Sequence, residues 1–254
     1  MNEELNPLAL IRATAKDKNI NCDRIRSFIE SGIDVNKKDT YNVTALMHLA
    51  LIKNEHNVEM MRLLIDEGAD VNQQTLHGVT TLMFAAQHGG DKTEEMLSLL
   101  TSQGAYVDIQ NQFGQTALML VSRSIEENAE ATIRVLTDAN ADVNKQDNDG
   151  MTALMWVTKR ERKNAEEKIR ALINANANVN IQSKKGETAM MFAAEFSGER
   201  GAVMIRELFY AGADVNIRAN NGKTAKDIGG YLFCDFLKQL ELEKKVLVKG
   251  VDNI

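Results

Sequence analysis

Residues able to do chemistry are few and poorly placed for it. Four histidines, His48, His56, His77 and His88, crowd into residues 48–88 and could in principle converge on a metal. No HxxxH or CxxC spacing presents two of them together, so surface roles are expected and no metal is assigned. The stretch NNGKT at residues 220–224 resembles the end of a phosphate loop. Such a loop needs a further glycine five residues before Gly222, where Ile217 stands. Neighbouring carboxylates such as Glu94 and Glu95 fall on polar helix faces, with no pocket to shift their pKa. GxGxxG and GxSxG elements are absent. No residue is therefore expected to be catalytic, cofactor-binding or metal-ligating, and the chain is not expected to be an enzyme.

Composition agrees. The 254 residues are 44% hydrophobic but only 5% aromatic, with a single proline and 12 methionines. A core built from aliphatic and thioether side chains suits packed helices better than sheets. A net charge of −6 disfavours nucleic acid and anionic membranes as partners. The opening MNEELNPLAL carries acid where a signal peptide carries base, and no apolar run approaches the roughly 20 residues of a membrane span. A cytoplasmic location is the expectation.

The sequence repeats itself. A threonine opening recurs every 36 residues, as TALM at Thr44, Thr116 and Thr152, TTLM at Thr80, TAMM at Thr188 and TAKD at Thr224. A turn sequence keeps the same period: GIDVN from Gly32, GADVN from Gly68, GAYVD from Gly104, NADVN from Asn140, NANVN from Asn176 and GADVN from Gly212. Within a copy, threonine can cap a short first helix, and Gly or Asn supplies the left-handed residue that ends a second one. Met61, Leu64 and Ile65, and Met96, Leu97 and Leu100, show the spacing of a half-buried helix.

The combination of TALMxxA and GADVN resembles the ankyrin repeat, whose usual opening is TPLHxA and usual period 33. The resemblance covers nearly the whole chain. It implies an all-α solenoid of stacked helical hairpins with projecting β-turn fingers, and recognition of other proteins. Asn- and Lys-rich arrays with TALM resemble bacterial members of the family.

Three departures follow. Ala45, Thr81, Ala117, Ala153 and Ala189 replace the family's proline. Met47, Met83, Met119, Met155 and Met191 replace its histidine, which shifts cohesion between repeats toward burial. Three extra residues lie between the helices, around residues 53–57, 89–92, 125–128 and 197–202, and either lengthen the first helix or enlarge the turn.

The phase divides the chain into an N-terminal capping repeat (1–39), five full repeats (40–75, 76–111, 112–147, 148–183 and 184–219) and a C-terminal cap with tail (220–254). In that cap Phe233, Phe236, Leu237 and Leu240 share one helical face. Cys22 and Cys234, in opposite caps of such a stack, would lie on the order of 60 Å apart, too far for a disulfide.

Helical geometry places a partner. The residue four after each threonine, namely His48, Phe84, Leu120, Trp156 and Phe192, joined by Phe196, should line the concave face as a ladder of large side chains. Ordinary packing between adjacent first helices would bury part of the same ladder. Beside it, Arg123, Lys159 and Arg160 make the centre basic, which suits an acidic segment in a partner protein. The run KRERK at residues 159–163 is read as solvated charge. Tyr41, Val43, Val79, Phe113 and Met151 on the fingers form a second group of contacts, expected to face solvent. The reading is therefore an adaptor or inhibitor, expected to be a monomer. Alternatives are a self-associating scaffold, or a secreted bacterial effector using the same face.

Overall fold

After the first hairpin, whose α-helix at Ala9–Lys16 starts at Leu8 without a side-chain cap, each first helix begins where a threonine side chain can replace a missing hydrogen bond. Thr44, Thr80, Thr116, Thr152 and Thr188 sit in extended backbone. Their hydroxyls accept the amide N–H of the methionine three residues on, at 3.3–3.4 Å. Thr224 does the same for Asp227, whose carboxylate in turn accepts the Thr224 amide and hydroxyl at 2.8 Å, a reciprocal cap. Second helices end on the expected left-handed residue: φ is between 64° and 87° at Gly32, Gly68, Gly104, Asn140, Asn176 and Gly212.

A computed structural model describes residues 8–17, 20–124, 129–160, 164–196 and 198–251. Residues 125–128 of the inter-helix stretches, residue 197 and residues 161–163 of the basic run lie outside them. The described residues form helices and turns without a β-strand, apart from an isolated bridge between Gln74 and Thr80. The chain divides into two compact units, Met1–Asp142 and Val143–Ile254.

Unit 1 holds four helical hairpins: α1 (Ala9–Lys16) with α2 (Cys22–Glu30), α3 (Ala45–Leu49) with α4 (Asn57–Asp66), α5 (Thr81–His88) with α6 (Thr93–Ser102), and α7 (Ala117–Arg123) with α8 (Ala129–Asp138). First helices pack in the order α1, α3, α5, α7, and second helices in the order α2, α4, α6, α8. Unit 2 continues the pattern with α9 (Ala153–Lys159), α10 (Ala165–Asn174), α11 (Ala189–Ala194), α12 (Glu199–Tyr210) and α13 (Ala225–Val251). α13 is interrupted at Gly230 (φ 62°), as the two glycines anticipate. Phe233, Leu237 and Leu240 then bury against the unit, and Phe236 is half-buried.

First helices of five to eight residues settle where the extra residues go: into the turns. In the third hairpin that turn is a 3-10 segment, Gly90–Lys92. The methionines that stand for the family's histidine are buried to 1% exposure or less. Burying a side chain of this size contributes about 1.5–3 kcal/mol.

Burial is not all that joins the repeats, and here the sequence expectation is incomplete. In four of the turns that repeat every 36 residues, the last asparagine bridges to the following repeat. Asn36 Nδ2 donates to Gly68 O (2.8 Å) and its Oδ1 accepts the Asp70 amide (2.7 Å); Asn72 does the same with Gly104 and Tyr106. In unit 2, Asn144 bridges to Asn176 and Asn178, and Asn180 to Gly212 and Asp214. One amide thereby satisfies a carbonyl at a helix end and an amide in the turn beyond it. Two positions break the series: Asn216 bonds within its own turn and to Lys226, and Asp108 stands where the asparagine would. Its carboxylate accepts the Asp142 amide but has no N–H to donate.

Candidate protein-binding surfaces

Five of the fingers are each built around one side-chain oxygen; the sixth has Ala219 at its base. Asp39, Thr75, Asn111, Asp147 and Ser183 each accept the amides two and four residues ahead, at 2.8–3.0 Å for Asp and Asn and 3.1–3.3 Å for the hydroxyls. Successive fingers are then tied through the main chain. Leu76 N donates to Tyr41 O and Gln112 N to His77 O in unit 1; Lys184 N donates to Asp149 O and Asn220 N to Lys185 O in unit 2. The approach is close enough to require glycine at the crest. Gly150 has φ 76°, and a Cβ there would come within 2.6 Å of the Lys184 nitrogen.

In unit 1 this frame presents apolar side chains to solvent. Tyr41 is 65% exposed and Phe113 59%, and between them Leu76, which the sequence reading did not single out, is 61% exposed. A tip with no core to fill and a large apolar side chain is the signal that could have found Leu76. Tyr106, at 68% exposure, is a second omission; it stands where the other copies carry Asp or Asn. Val43 and Val79 are half-buried.

Met151 overturns the expectation of solvent exposure, since only 2% of it is accessible. Its amide donates to Asp147 Oδ1 and its carbonyl accepts the Asp147 amide. Both polar backbone groups pin it to the finger's base, not its crest. The same register explains the half-burial of the two valines. The crests of unit 2 carry Asp149, Lys185 and Asn221, all exposed and polar.

The first-helix ladder divides in the same way. In unit 1, His48 and Phe84 are half-buried, but Leu120 is 7% exposed and belongs to the core. Arg123 is half-buried beside it. Burial holds the His48 imidazole below its ordinary pKa, partly opposed by the Asp39 carboxylate. His56 lies by Glu55 and Glu59, and His77 is hydrogen-bonded to Gln112, so the histidines do not converge.

In unit 2, Phe192 is also a core residue, 3% exposed, while Trp156 and Phe196 are half-buried and Lys159 and Arg160 exposed. Close packing of short first helices, with small residues such as Ala193 and Ala194 beside the ladder, draws Leu120 and Phe192 inward. Lys159 nevertheless joins two ladder residues: its ammonium lies 5.8 Å from the Trp156 ring centre and 5.0 Å from that of Phe192. Such contacts contribute about 0.5–2 kcal/mol. Trp156 is oriented from the other side, its Nε1–H donating to Asp147 Oδ2 at 2.9 Å. Phe196 instead lines a cavity of about 210 Å³ with Ala202, Ile205, Ile228, Leu232 and Phe236.

The role of Asp147 has a signal in the sequence, although the repeat pattern alone does not point to it. Aspartate stands at the finger base only in the two repeats whose ladder residue, nine positions on, is a ring with an N–H: Asp39 with His48 and Asp147 with Trp156. Thr75, Asn111 and Ser183 precede Phe84, Leu120 and Phe192, which have none.

Stacked hairpins, period and finger geometry define a class of repeat protein. The sequence model described as ankyrin repeats (three copies) matches residues 82–166 and 122–219, more than half of the chain, and the single ankyrin repeat model matches residues 41–76. The chain belongs to the ankyrin-repeat family. Its structure is similar to the human ASB11 ankyrin repeat domain (TM-score 0.69, 22% identity, covering 87% of this chain and 91% of that one). It is also similar to the ankyrin repeat domain of Bcl-3, described as a unique member of the IkappaB protein family (TM-score 0.72, 20% identity, 91% and 97% covered). Among curated protein sequences, nothing matches. Ankyrin repeat domains are in general protein–protein interaction modules.

Proposed function

We propose that this chain is a non-catalytic adaptor or inhibitor that acts in the cytoplasm by holding a partner protein on its finger tips and first-helix face. One observation carries the reading: Tyr41, Leu76 and Phe113 stay exposed on three adjacent fingers of unit 1 although no packing requirement places them there. Unit 2 adds an aromatic and basic patch at Trp156, Lys159 and Arg160, which suits an acidic segment of the partner. Affinity capture with the wild type and a Tyr41→Ser, Leu76→Ser, Phe113→Ser variant tests it. Loss of a captured partner with helical content unchanged is the expected result; equal recovery of every partner by both forms removes the fingers from the reading.

A second reading, self-association, is favoured by α13. Tyr231, Leu232, Leu242 and Val246 are 62–78% exposed on that terminal helix. Light scattering over a range of concentrations separates the two. A dimer abolished by Leu242→Glu with Val246→Glu supports self-association, and a constant monomer supports the adaptor.

A further inference from the structure

The patch of unit 2 contains a small built arrangement that the finger surface of unit 1 lacks. Lys159 ends α9 with its ammonium held over two rings, one in its own repeat and one in the next. The rings fix the position of the charge while the side chain remains exposed. Arg160 follows it, also exposed, and Glu195 at the end of α11 makes no ion pair with Lys159 among the described residues. A positive charge already ordered, and shielded from water on its ring side, is prepared for an anion: the entropy of immobilising a lysine is lost before binding and not during it.

The ring beneath it is ordered too. Asp147 is only 7% exposed; its Oδ1 holds the finger turn through two amides and its Oδ2 holds the indole through Trp156 Nε1. No other residue in the chain joins a finger base to a ladder ring by a hydrogen bond among the described residues.

We propose that Lys159 is the specificity-determining residue of this face: its ammonium, fixed over Trp156 and Phe192, receives one carboxylate of an acidic partner segment whose adjacent apolar side chain lies on the Trp156 ring. Asp147 is the positioning residue that holds that ring. The proposal rests on the reading of the chain as a partner-binding module, and it names the group of the partner that is recognised.

Trp156 is the only tryptophan, so its fluorescence and its single indole N–H resonance report on this place alone. The probe is a phage-displayed library of short random peptides selected against the full chain. Peptides whose binding is lost on Trp156→Leu, the residue type of Leu120 at the equivalent position, identify the face. These peptides are expected to be enriched in Asp or Glu next to an aliphatic or aromatic residue and to change Trp156 fluorescence. Lys159→Met, which keeps an unbranched apolar stem, weakens them roughly tenfold, Lys159→Arg keeps them, and Lys159→Glu turns the enrichment toward Lys and Arg.

Asp147→Asn tests positioning. Asparagine fills the same turn at position 111, so the fold is retained, but the indole resonance shifts and the acidic preference falls. Trp156-dependent peptides without acidic enrichment, or unaffected by Lys159→Met, overturn this inference and leave the module reading intact. Absence of any Trp156-dependent peptide overturns both the inference and the unit 2 share of that reading. An unmoved indole resonance in Asp147→Asn removes Asp147 from the role.

Discussion

Units 1 and 2 use one scaffold and display opposite surfaces. On the fingers, unit 1 exposes Tyr41 and Phe113 where unit 2 carries Asp149, Lys185 and Asn221, and adds exposed Leu76 where unit 2 carries Asn148, Lys184 and Asn220. On the first helices the ranking reverses: unit 1 offers half-buried His48 and Phe84, whereas unit 2 offers Trp156 under Lys159 with Arg160 beside it. The difference teaches that the repeat fixes a side chain's place but not its accessibility. A phenylalanine at the ladder position is half-buried at Phe84 and buried at Phe192. What decides is the neighbouring first helix and the finger in front of it.

The comparison breaks if the scaffolds themselves differ. Met119→Ala in unit 1 and Met155→Ala in unit 2 remove side chains buried to the same 1%. Each should cost about 2–5 kcal/mol, and similar losses in urea denaturation would confirm a shared core. Unequal losses would place part of the contrast inside the protein. Next in size come the asparagine bridges: Asn72→Ala and Asn180→Ala each remove two hydrogen bonds across a repeat boundary. A loss of about 1–2 kcal/mol is expected for either.

Asp108→Asn runs the other way. It supplies the missing amide donor and removes a carboxylate near Asp142, so stability should rise by about 0.5–1 kcal/mol. No gain would mean that one acceptor is all this bridge needs.

The smallest effect is in the pH profile and belongs to unit 1 alone. Because burial lowers the pKa of His48, the unfolded chain binds the proton more tightly than the folded one. Stability therefore falls as pH drops through the ordinary histidine range near 6.5, and the loss is complete below the folded pKa. His48→Phe should remove that step in unfolding midpoints measured from pH 5 to 8, and Trp156 gives unit 2 no counterpart. A step unchanged by the substitution would assign it to another histidine.

Much of the fold could be read directly from the 36-residue period. Threonine caps, left-handed Gly or Asn, and hairpin order depend on interactions within three or four residues, so local spacing contains them. The terminal cap was equally legible, because two glycines and an apolar stripe are local signals. The site was legible only in part. Exposure of Tyr41 and Phe113 follows from their crest positions, which have no core to fill, whereas Met151 is buried against expectation and Leu120 and Phe192 follow the alternative of packing between first helices, because burial depends on what packs from the next repeat.

Sequence by itself determined the repeat, its period, its helical class and the identity of several residues that reach the surface. Tertiary structure alone decided which of them remain there. It also joined Asp147 to Trp156 and Lys159 to Phe192, and made the asparagines of four turns bridges between repeats. The reason is physical: caps and turns are closed by neighbours along the chain, whereas exposure and the contact of Lys159 with Phe192 are fixed by neighbours from another layer of the stack.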